Sequence, residues 1–124
     1  MNEDWVKLLV QLKKRYSLLI QIDDLTQQMS DALNRDDEVS FQMLLSMRQE
    51  PILYLKESDK ILLNLKYELS QNIVKRWQEL ENNAEPIGQE ETLFKQQINQ
   101  NRRLLERLVP FDNRILTVLK NKKR

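Results

Sequence analysis

An all-α fold, an antiparallel bundle of three long helices with coiled-coil-like packing, is what this sequence predicts, and three observations carry the prediction. Apolar residues recur at steps of three and four through most of the chain, the spacing that puts them on one face of a helix. The sequence holds one glycine and three prolines, fewer than the tight turns of a β-rich fold normally use. At 124 residues with 40% apolar content, a single domain over residues 1–124 is expected, able to bury roughly two thirds of its unfolded surface.

The first helix starts near Asp4 and carries Trp5, Leu9, Leu12, Tyr16, Leu19, Ile22, Met29 and Leu33 on one face, with Thr26 where another apolar residue would fit. About 30 residues at 1.5 Å per residue make it roughly 45 Å long. It should end at Asn34, Arg35, Asp36 and Asp37, because Asn tolerates the left-handed C-terminal position and either Asp can cap the next helix. So short a connection makes the neighbouring helices antiparallel.

A second pattern runs from Asp37 to about Asn82, with Phe41, Leu44, Leu45, Ile52, Leu55, Leu62, Leu69, Ile73, Trp77 and Leu80 on one side. Pro51 interrupts it. A proline inside a helix removes one backbone donor and clashes with the carbonyl four residues back, at about 3 kcal/mol. The middle helix should therefore kink at Pro51 or break there, and a break gives four helices instead of three. Residues 82–88, which hold Pro86 and the lone Gly88, form the clearest loop. The last helix comes after it with Leu93, Phe94, Ile98, Leu105, Leu108, Phe111, Ile115 and Leu119, Asn101 within the stripe and Pro110 as a second expected kink.

Composition excludes much chemistry. With no cysteine and no histidine there is no Ser-His-Asp triad, no Cys-His pair, no Cys/His zinc site and no disulfide. One glycine cannot build a phosphate-cradling loop. Adjacent acids at Asp23/Asp24, Asp36/Asp37 and Glu90/Glu91 diverge by about 100° on a helix, and caps and helix starts account for the last two pairs. No metal and no cofactor is therefore expected, and the chain reads as non-enzymatic.

The charges, 20 basic against 19 acidic, are interspersed, so no nucleic acid partner is expected. Lys13, Lys14 and Arg15 fit a solvated helix face. Lys120, Lys122, Lys123 and Arg124 fit the negative end of a helix dipole. No apolar run approaches the roughly 20 residues that span a bilayer, and the start Met1, Asn2, Glu3, Asp4 is unlike a secretory leader. No membrane insertion and a cytoplasmic location are the expectations.

The middle segment carries more apolar surface than one stripe needs. Met43, Met47, Tyr54, Ile61 and Leu65 form a second line about 100 to 130° from the first. A central helix touching two neighbours would bury both lines. Alternatively, the second line is a groove for a partner's amphipathic helix, a use to which flexible methionine is suited. Arg48 and Lys66 project close to the main stripe, where a charge must snorkel or meet a carboxylate. Asp59 and Asp112 are the candidate partners, and convergence of Arg48 and Lys66 on one pocket would instead suit a small dianion. Asn101 and Thr26 either fix helix register, as buried polar residues do, or are partly exposed.

The segment Leu19-Ile20-Gln21-Ile22-Asp23-Asp24-Leu25-Thr26-Gln27-Gln28-Met29, then Asp36-Asp37, then Leu44-Leu45-Ser46-Met47-Arg48-Gln49-Glu50-Pro51-Ile52 resembles the flagellar export chaperones of the FliT type, and more loosely those of the FlgN type. The likeness covers roughly residues 5 to 70. It implies a cytoplasmic chaperone that binds the amphipathic helical end of a flagellar structural protein before export, with no catalytic residue. A self-associating helical adaptor, with the second apolar line buried in a homodimer, is the alternative the residues leave open.

Overall fold

The computed structural model describes the backbone of residues 2–122 and the side chains of residues 2–114. Ile115, Leu119 and the terminal cations Lys120, Lys122, Lys123 and Arg124 fall outside the described side chains. The described chain is all-helical: α1 (Glu3–Asn34), α2 (Glu38–Glu68), α3 (Gln71–Glu81) and α4 (Gly88–Lys122).

The Asn2 side chain caps α1 by accepting the Asp4 N–H at 2.8 Å, and Glu3 and Asp4 sit in the first turn, where the helix dipole favours acids. At the other end Asp36, not Asn34, takes the left-handed conformation, with φ of 55°. Asp37 then caps α2 by accepting the Ser40 N–H at 3.0 Å. Hydrogen bonding from the Ser40 side chain first, and from this backbone N–H second, holds the Asp37 carboxyl below its ordinary range.

Four helices arise, but not by a break at Pro51. α2 passes through Pro51, and α4 passes through Pro110, without interruption. The interruption lies at Leu69 and Ser70 instead, where Leu69 turns extended (ψ 160°) and the Ser70 hydroxyl accepts the Ile73 N–H at 3.4 Å as the cap of α3. Leu69, Ile73, Trp77 and Leu80 stay in phase across this break because all four face the same core. The periodicity therefore conceals it.

α1 is the shared wall of the bundle. α2 runs antiparallel to it: Phe41 and Leu44 pack with Met29 and Leu33 at one end, and Leu65 and Leu69 pack with Trp5, Leu8 and Leu12 at the other. α4 runs parallel to α1, as a ladder of contacts in rising order establishes. The Asn2 N–H donates to Glu90 at 3.0 Å, Trp5 meets Phe94 edge-on at 5.0 Å between ring centroids, Asn101 donates to the Leu12 carbonyl at 3.1 Å, and Arg114 donates to the Ser30 hydroxyl at 3.0 Å. Burying two neighbours explains why twelve α1 residues are buried but only five on α2.

The largest core lies where α3 joins: Trp5, Leu8, Leu9, Leu12, Leu65, Leu69, Trp77, Leu80, Phe94 and Ile98. Phe94 is fully buried between Trp5 and Trp77, the latter edge-on at 6.4 Å. Arg76 fastens α3 from outside. Its guanidinium pairs with Glu91 and, at 2.8 Å, with Glu79, and it donates to the Glu85 carbonyl at 3.2 Å. Glu91 also accepts the Ile87 N–H at 3.1 Å. The Arg76 hydrogen bonds hold the Glu91 carboxyl below the ordinary carboxylate range, and Glu91 in turn raises Arg76.

Replacing Phe94 by Ala is expected to cost about 3–5 kcal/mol of unfolding free energy, read by urea denaturation. Because the folded-state pKa of Glu91 is depressed, its contribution is present above the ordinary carboxylate pKa and lost as pH falls through the lowered one. The Glu91→Gln chain should therefore be less stable at neutral pH and lose less on acidification, a comparison of unfolding midpoints between pH 7 and pH 3.

Candidate helix-binding face on α2

The line of α2 most deeply set against α1 is Leu44, Pro51, Ser58 and Leu65, all buried. These residues are seven apart. A spacing of seven is the seam of a coiled coil, and its companion positions lie three residues on, at Met47, Tyr54 and Ile61. α2 thus presents a complete heptad seam of which one line is buried and the other is open. Met43, Met47, Tyr54 and Ile61 are 57, 53, 48 and 42% exposed, whereas Leu65 is 7% exposed. Leu65 belongs to the core around Trp5 and Trp77 and is withdrawn from the candidate binding residues.

Two small residues in the buried line shape the surface above it. Pro51 and Ser58 fill less of the α1–α2 contact than leucine would, and a cavity lies beside each. One, of about 460 Å³, is lined by Gln11, Lys14, Ser17, Leu18, Tyr54, Glu57, Ser58 and Ile61. The other, of about 370 Å³, is lined by Gln21, Asp24, Leu25, Met47, Glu50, Pro51 and Tyr54. Tyr54 lines both, so the two clefts lie one after the other along the open seam. The Ser58 hydroxyl, buried beneath it, has no hydrogen-bond partner. Glu50, by its charge and by hydrogen bonding, with Glu57 adding, pushes the Tyr54 phenol above its ordinary value.

The second apolar line is therefore not consumed by two neighbours of α2. Two neighbours belong to α1, and α2 reaches α4 mainly through side chains: Arg48 pairs with Asp112 at 2.6 Å, and Leu55 and Ile52 pack beside Leu104 and Leu108.

Of the two expected carboxylate partners, Asp112 takes Arg48, while Asp59 pairs with Arg15 rather than Lys66. The Lys66 ammonium lies over the Trp77 ring at 4.9 Å, an attraction to the ring face. Eighteen residues separate Arg48 from Lys66, about 27 Å along a helix, so the two cations do not converge on a pocket for a dianion. Lys66 lines a separate cavity of about 390 Å³ beside Trp77, where Arg15 and Arg102 are offset by Asp59 and Glu81.

Asn101 and Thr26 are buried, not partly exposed. Asn101 accepts from Gln97 at 3.0 Å and donates across to α1, which fixes the register of α1 against α4. Thr26 bonds only its own helix, donating to the Ile22 carbonyl at 2.6 Å. Asp23 is buried too, accepting from Gln27 at 2.9 Å and lying 3.5 Å from Arg107. Among the described residues no group of three or more acids could hold a metal ion, and no helix is long and apolar enough to cross a membrane.

No protein-family model, no curated protein and no solved structure matches this chain.

Changing Met47 and Tyr54 to Ser should move the unfolding free energy by no more than about 1 kcal/mol, since exposed substitutions cost little. Leu65→Ala should cost about 2–5 kcal/mol. Ser58→Ala should be neutral or stabilising, because it removes a buried hydroxyl that bonds nothing. Thermal and urea unfolding of the three variants separate groove from core.

Proposed function

We propose that this protein is a non-enzymatic binding protein that receives an amphipathic helix of a partner protein along the α1–α2 groove. The observation that carries the reading is the half-open heptad seam, in which Met47, Tyr54 and Ile61 stand exposed beside a buried line of the same period. A helix laid on that line would complete the seam by knobs-into-holes packing, and the two methionines can adjust to its side chains.

The resemblance of residues 19–52 to FliT-type chaperones supports a more specific reading: a cytoplasmic chaperone whose partner is the helical end of a flagellar structural protein awaiting export. The alternative use of the same surface is self-association, with the open line of one copy meeting that of a second in a homodimer.

One experiment separates them. The tagged chain and its Met43→Ser, Met47→Ser, Tyr54→Ser variant are used to capture partners from the native cytosol, and both are run in sedimentation equilibrium. A flagellar filament, cap or hook-associated protein recovered by the parent alone is the expected result. A dimer abolished by the substitutions, with no such protein recovered, supports the self-associating module instead and removes the flagellar assignment.

A further inference from the structure

We infer that the helix received in this groove is cationic, with lysine or arginine at heptad spacing beside its apolar stripe. The inference rests on the proposed helix-binding function and specifies the chemistry of the partner.

The residues flanking the open line carry it. At about 100° per residue, twelve α2 positions lie within about 60° of Tyr54, Tyr54 itself included, among them Glu50, Glu57 and Glu68. Three of these are acids and none is a base. Glu50 and Glu57 are seven residues apart, the interval at which flanking charges in a coiled coil meet their counterparts on the opposing helix. Across the groove α1 contributes Asp24 to the cavity at Met47 and Lys14 to the cavity at Ile61. The half of the groove around Met47 and Tyr54 is thus lined by two carboxylates and no cation.

These carboxylates are not neutralised inside the fold. Asp24, Glu50 and Glu57 are exposed and make no ion pair among the described residues, although Arg15, Arg48, Arg76 and Arg107 each have an acidic partner. The same half of the groove holds a backbone feature of the same polarity. Proline at position 51 has no N–H, so the Met47 carbonyl lacks the donor that an α-helix normally supplies four residues on. The rise in the Tyr54 pKa caused first by Glu50 is a further sign of negative potential there. A partner whose flanking residues were acidic would meet like charges at Asp24, Glu50 and Glu57, and a basic one would meet complements.

The test uses two labelled synthetic helical peptides with the same heptad apolar stripe, one flanked at heptad spacing by lysine and the other by glutamate, titrated with the full chain by fluorescence anisotropy. The lysine peptide should bind about tenfold tighter, through two exposed ion pairs gained and two like-charge repulsions avoided. Its affinity should fall as salt is raised. In Glu50→Gln, Glu57→Gln protein the ratio should shrink to within about threefold, and in Met47→Ser, Tyr54→Ser protein both peptides should weaken. Equal or inverted affinities, with the Met47 and Tyr54 substitutions still weakening both peptides, overturn the cationic partner and leave the groove standing. Affinities indifferent to Met47 and Tyr54, or no binding of either peptide, overturn the groove reading and this inference with it.

Discussion

The bundle depends on the burial of α1 from two sides. Leu8 and Leu19 are fully buried and Leu12 nearly so, and no single neighbour could cover an arc that also includes Trp5, Ile22, Met29 and Leu33. α2 covers one flank antiparallel and α4 the other in parallel, so α1 must lie inside while α2 and α4 each keep an outward face. Register is then fixed by a few polar contacts placed along this wall. Asn101 reaching the Leu12 carbonyl is the clearest, because sliding α4 by one turn would strand the buried Asn101 amide, while the Leu12 carbonyl would keep its bond within α1.

Much of this is legible in the sequence, and the parts that are not have physical causes. The helix limits near Asp4, Asn34–Asp37 and Asn82–Gly88 come from caps and turn residues, which act locally. The break at Ser70 is hidden because a helix interruption that keeps its apolar residues in phase leaves no trace in periodicity, and its one local signal is a serine after Leu69. Pro51 suggests a kink or a break, and the break does not occur. Its cost falls on one hydrogen bond, whereas Leu44 and Leu65 hold α2 to α1 on either side. The role of Arg76 is equally hidden, since nothing within one helix says that an arginine will meet Glu91 fifteen residues later.

The candidate site is half legible for a related reason. A wide apolar arc says that a helix touches much, but not which helix lies at the centre. Met43, Met47, Tyr54 and Ile61 fall on the exposed side and Leu65 on the buried side, although all five share one sequence pattern. What divides them is α3, whose Trp77 and Leu80 join the core around Leu65 at the C-terminal end of α2 only. The heptad interval of Leu44, Pro51, Ser58 and Leu65 is present in the sequence as well. A proline and a serine at its middle positions disguise it, because neither scores as apolar.

Those same two residues bear on how an open seam can exist in a folded monomer. Leucine at positions 51 and 58 would fill the space beside Tyr54 and raise the seam outward as a flat apolar ridge, the kind of surface that associates without selectivity. Pro51 and Ser58 lower the floor of the groove, and Glu50 and Glu57 interrupt its edge with charge at each heptad. An arbitrary apolar surface must then desolvate carboxylates to reach Met47 and Tyr54, whereas a helix of matching period can set its apolar residues between them. The features that weaken the α1–α2 contact as core are the ones that make its outer line selective as an interface.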